Sequence, residues 1–180
     1  MEAATYTARL SLAMDLDRVE ALSADLERIA EGRGAAELMR SLVGLCKHRV
    51  PHYHWVGIYL LRGNELRLGP YAGRPTVHTR IPVDQGICGA AARAGTALIV
   101  PDVQADKRYL ACSRETRSEI VVPILAGESV LGEIDIDSDL PRAFNEHDQA
   151  LLERAASLIA GALRRAPVLD ALFPEPEAVG

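Results

Sequence analysis

The chain has 180 residues, 48% of them apolar, and a formal net charge of −5. This length supports one domain with a sizeable core, and the apolar share excludes a disordered chain. The acidic balance gives no electrostatic reason to expect nucleic acid or an anionic membrane as partner, and no apolar stretch is long enough to span a bilayer.

In chain order, helical periodicity over residues 13–31 places Leu16, Val19, Leu22, Leu26 and Ile29 on one face, and Gly32 and Gly34 end it. A second helix fits 35–49 and stops at Pro51. A strand over 54–61, the turn Arg62-Gly63-Asn64-Glu65 and a return strand from Glu65 to Gly69 read as a hairpin. A short extended piece ends at Arg80-Ile81-Pro82, and Gly86 opens a short helix carrying Cys88. Thr96 to Val100 is a strand, and 102–117 is a polar loop containing Cys112. Ser118–Leu125 and Val130–Asp137 form a second hairpin around Ala126-Gly127-Glu128-Ser129. Asn145, with Asp148 three residues on, caps a long amphipathic helix over 145–165. The order implies an α+β domain with a mainly antiparallel six-stranded sheet and helices packed on it. The expected divisions are an N-terminal helical segment at 1–34, the domain at 35–165 and a flexible tail at 166–180.

The run Leu131-Gly132-Glu133-Ile134-Asp135-Ile136-Asp137 alternates three acids with two isoleucines. A strand has a period of two, so Glu133, Asp135 and Asp137 share one face. Like charges repel there, so something cationic or protonated is expected opposite them. Trp55, Gly57 and Tyr59 share a face of the earlier strand. An aromatic wall, a small residue and carboxylates together suit a small amine or amino acid, while a solvated acidic strand face is the plainer reading. Trp55 can also be read as a core aromatic, the lesser of its two readings, with few aromatic packing partners in a chain only 4% aromatic.

Three cysteines, Cys46, Cys88 and Cys112, form no CxxC pair, and an odd count argues against a disulfide framework. With no secretory segment in Met1-Glu2-Ala3-Ala4, the expected location is the cytoplasm. His52 and His54 can share a strand face, but no second ligand pair has zinc spacing, so neither metal nor cofactor is expected. Cys46 lies in an apolar helical run and reads as a core thiol. Cys112 sits among Arg108, Arg114 and Arg117, which favour a thiolate, and Cys88 sits at a helix start, where the dipole does the same. Cys88 can also be read as a small packed residue.

These motifs resemble a GAF domain over residues 35–165, and within that superfamily the free methionine-R-sulfoxide reductases. The matching pieces are His54 to Leu60, Leu68-Gly69-Pro70-Tyr71-Ala72-Gly73, Arg80-Ile81-Pro82 with Gly86-Ile87-Cys88-Gly89, Ala111-Cys112, Ser118 to Pro123 and Ile134 to Ser138. The resemblance implies an aromatic pocket of Trp55 and Tyr59, substrate-binding acids Glu119, Asp135 and Asp137, and redox cysteines Cys88 and Cys112. The third cysteine of that family, ahead of the Arg-Ile-Pro piece, is absent: the stretch reads Thr76-Val77-His78-Thr79, and His78 is the nearest equivalent.

Such an enzyme reduces free methionine-R-sulfoxide. A thiolate attacks sulfur, an acid protonates the departing oxygen, and a second thiol resolves the sulfenic acid to a disulfide for a thioredoxin-like dithiol. Following the resemblance, Cys112 is the expected nucleophile and Cys88 the resolving thiol. Glu119, its pKa raised by burial, or one of the aspartates is the general acid. The alternative is a non-catalytic GAF module that binds a small molecule or senses redox state through its thiols. A homodimer is expected, with the first helix as the partner surface.

Overall fold

The computed structural model describes residues 14–110, 113–166 and 172–180. Two helices open it. α1 (Leu16–Ala30) begins where the Asp15 side chain accepts from Arg18 N at 2.9 Å, and α2 (Ala35–Arg49) follows. The strands are β1 (Trp55–Arg62), β2 (Glu65–Ala72), β3 (Arg80–Pro82), β4 (Leu98–Val100), β5 (Ser118–Ala126) and β6 (Ser129–Ser138). α3 (Gly86–Ala94) stands between β3 and β4, and α4 (Glu146–Arg164) follows β6. The sheet runs β3-β2-β1-β6-β5-β4, with each of these pairs antiparallel. This is the expected α+β architecture. Within the stretch expected to be a polar loop, Val103–Ala105 form a 3-10 turn.

The sheet separates two apolar clusters. Val56, Ile58, Leu60, Ile120, Val122, Ile134 and Ile136 face α1, α2 and α4 and form the larger core with Leu26, Leu42, Leu152 and Ile159. α1 buries Leu22 and Leu26 in that core, so it belongs to the domain body. Cys46 is buried there too, and burial pushes its thiol up to about 12, as suits an inert core residue.

α4 opens with a full capping box: Asn145 Oδ1 accepts from Asp148 N at 3.2 Å while Asp148 Oδ2 accepts from Asn145 N at 2.9 Å. The other Asp148 oxygen accepts from the Tyr53 hydroxyl at 2.9 Å and lies 2.8 Å from His52 Nε2. His52 is therefore tied to the entry of α4 and precedes the strand on which a shared face with His54 was expected.

Residues 172–180, part of the stretch expected to be a flexible tail, make contacts with the domain. β7 (Glu177–Ala178) pairs in parallel with β2 through Pro70 and Tyr71. Arg40 bonds Glu177 at 2.6 Å and lies 5.0 Å from the centre of the Phe173 ring. These contacts come from α2 and β2, distant in sequence, and a Pro-rich composition does not reveal them.

Candidate active site

The second face of the sheet carries the chemistry. Register places Trp55 opposite Asp137, Gly57 opposite Asp135 and Tyr59 opposite Glu133, and on the far side of β6 it places Glu119 opposite Asp137. Strand parity thus gathers Trp55, Tyr59, Glu119, Glu133, Asp135 and Asp137 on one face, and α3 lies against β5 and β6 to bring Cys88 onto it. Cys88 Sγ donates to Asp135 Oδ2 at 3.5 Å and lies 3.9 Å from Glu119 Oε1. Every expected site residue except Cys112 meets here. Cys112 lies outside the described residues, but the chain on either side of it borders the site: Leu110 packs beside Gly86 at the start of α3, and Ser113 and Thr116 line a cavity against Trp55 and Asp137.

Gly57 makes room for the indole. A Cβ at this position would collide with the six-membered ring of Trp55. Trp55 also stacks on Tyr71 with ring centres 6.0 Å apart and 24° between planes, and it lies 6.4 Å from Tyr59. This corrects the expectation of few aromatic partners. A register shift between β1 and β2 puts Tyr71 opposite Gly57, and composition alone does not show that. The polar tips of the aromatics hold the loop after β2: Trp55 Nε1 donates to the Arg74 carbonyl at 3.1 Å and the Tyr59 hydroxyl to the His78 carbonyl at 2.8 Å.

A GAF domain family model matches residues 27–163. The chain belongs to the GAF domain family. It is 35% identical over 115 residues to the free methionine-R-sulfoxide reductase of Escherichia coli, covering 63% of this chain and 69% of that protein. It superposes on the type II free methionine-R-sulfoxide reductase from Thermoplasma acidophilum with a TM-score of 0.70 at 37% identity, covering 72% of this chain and 92% of that one. The free methionine-R-sulfoxide reductase from Neisseria meningitidis in complex with its substrate matches with a TM-score of 0.78 at 29% identity, covering 82% of this chain and 89% of that one.

In this GAF domain four carboxyls are buried side by side, and among the described residues none is in a salt bridge. Both oxygens of Glu133, one of Asp135 and one of Asp137 have no hydrogen-bond partner among the described residues. Burial, then the Asp135, Asp137 and Glu133 charges, raises Glu119 well above the usual carboxyl range. Burial followed by Asp135 raises Glu133 likewise. Burial and Asp135 raise Asp137, with Arg74 pulling the other way. Burial lifts Asp135 to about 7 against the bond from Cys88. The sequence called for something cationic or protonated opposite these acids, and the raised values favour their protonated forms.

Cys88 departs from the thiolate expected at a helix start. It is the third residue of α3, but burial and the charges of Asp135, Glu133 and Glu119 push its thiol well above the ordinary value. The dipole of a nine-residue helix is the weaker influence. Two neighbours of the site, Arg74 and Thr116, were not singled out from the sequence. Glu133 was visible in the alternating run, and its parity with Asp135 placed it on this face. Arg74 and Thr116 lie in loops, where no periodicity marks a pocket residue.

Proposed function

We propose that this GAF domain is an oxidoreductase that reduces free L-methionine-(R)-S-oxide to methionine. The observation that carries the reading is the buried acid face beside the Trp55 wall, with Cys88 bonded into it. A substrate ammonium supplies the cation that the face lacks, and Trp55 receives the methylthio end through apolar and sulfur–aromatic contact. Names of relatives and the substrate complex among the similar structures support the same reading.

Cys112 attacks the sulfoxide sulfur as thiolate. The S–O bond breaks as the oxygen passes to the cysteine and a proton is added, giving methionine and Cys112 sulfenic acid. Glu119, favoured in its protonated form by burial and then by its acidic neighbours, supplies that proton. Cys88 then attacks the sulfenic sulfur, forming a disulfide and releasing water. Its thiol must lose a proton to do so, and Asp135 Oδ2 at 3.5 Å is the acceptor. A thioredoxin-like dithiol reduces the disulfide. Asp135 and Asp137 hold the substrate ammonium.

Single-turnover release of methionine tests the scheme. Cys112→Ser should abolish it, because a hydroxyl is a far weaker nucleophile toward sulfur. Cys88→Ser should release one equivalent and then stall, and Cys46→Ser should leave the chemistry unchanged. Equal activity in wild type and Cys112→Ser would sink the mechanism. Absence of turnover in wild type with any dithiol would turn the assignment to a binding module.

A further inference from the structure

The reduction uses carboxyls, thiols and an indole, and leaves Arg74 without a role. Yet Arg74 borders the same cavity as Trp55, Thr116 and Asp137, and its charge acts on Asp137. Its place is fixed twice. The backbone carbonyl accepts from Trp55 Nε1, and the guanidinium pairs end-on with Asp139, Nη1 to Oδ2 at 3.0 Å and Nη2 to Oδ1 at 2.5 Å. That pairing leaves the Nε–H edge, for which no partner is found among the described residues. A free amino acid is a zwitterion. The face made by Glu119, Glu133, Asp135 and Asp137 attracts its ammonium and repels its carboxylate. The carboxylate therefore needs a cation at the rim of the same cavity, and Arg74 is placed there with Asp137.

We propose that Arg74 is the receptor for the substrate α-carboxylate and restricts the site to free amino acids. A methionine sulfoxide inside a peptide carries a neutral amide at that position and forfeits the charge-assisted bond. This inference rests on the reductase reading and adds the determinant of its substrate class.

The test is calorimetric binding to the full chain carrying Cys112→Ser, which holds ligand without turnover. The two probes are methionine sulfoxide and its C-terminal amide, compared near pH 6.5, about where both amino groups stay protonated. The acid should bind about 10- to 100-fold tighter than the amide, the usual worth of a hydrogen bond to a charged group. Arg74→Gln should erase this preference by weakening the acid alone, and Arg74→Lys should retain part of it. Equal weakening of both ligands by Arg74→Gln would make the residue merely structural and overturn the inference, as would a preference that survives Arg74→Gln. Equal binding of acid and amide to the parent protein overturns the inference and leaves the reductase reading standing. Binding of neither probe overturns both.

Discussion

Asp135→Asn should remove a pH dependence of stability that runs opposite to ordinary acid denaturation. The folded value of Asp135 lies near 7, against an ordinary 3.8. The folded state therefore binds more protons than the unfolded chain between those values, and stability falls as pH rises through the interval. At about 1.4 kcal/mol per pH unit, the raised value is worth roughly 4 kcal/mol, fully present below about pH 4 and lost above about pH 7. Between about pH 5 and about pH 8 the Asp135 share is about 2–3 kcal/mol. Glu119, Glu133 and Asp137 are raised too, so they steepen the same slope. Asparagine keeps the volume and a carbonyl oxygen to accept from Cys88, but it cannot ionise. It also removes a charge that raises all three neighbours, so the slope should flatten by more than the share of Asp135 alone. The assay is urea unfolding of wild type and variant at several pH values in that range, with m-values checked for constancy. A variant as steep as wild type would refute the assignment of the titration to Asp135. A wild type that gains stability over the same range would refute the unpaired acid face altogether.

Ligand binding should oppose this slope: ammonium favours ionised acids, so methionine sulfoxide should release protons on binding and bind more tightly as pH rises from about 5 to about 7, measurable by calorimetry in buffers of different ionisation enthalpy. Gly57→Ala should displace the indole, cost about 1–3 kcal/mol and shift the emission of Trp55, the sole tryptophan, in the same protein that loses affinity for substrate. Asp148→Ala should cost about 3 kcal/mol in chemical unfolding, because it breaks the capping box and strips the Tyr53 hydroxyl of its partner, while Asp148→Asn should cost less.

Local rules carried most of the fold. Asn145 and Asp148 mark the start of α4 in the sequence, and alternation in Glu133-Ile134-Asp135-Ile136-Asp137 sorts core from site before any partner strand is known. They fail where a contact is set by distant chain. β7 is two residues long and owes its place to β2, Arg40 and the Phe173 ring seated by Gly69. The thiolate expected at Cys88 follows correctly from a helix start, but the acids that reverse it come from β5 and β6, 31 and 47 residues away. Arg74 has no pattern to announce it, because its position depends on an indole and on Asp139, which lies 65 residues on.

The division of the sheet explains how the domain tolerates such a site. Ile134 and Ile136 carry the fold on one face, with three helices closing over them, while Glu133, Asp135 and Asp137 on the same strand oppose folding at neutral pH. Side chains one residue apart on β6 thus act in opposite directions, and the strand stays in place because its apolar half is buried on both neighbours, β1 and β5. A substrate ammonium arriving at the acid face removes the opposition without moving the core. Binding energy and folding energy are then coupled through the same carboxyls, and the most tightly held form of the domain should be the liganded one.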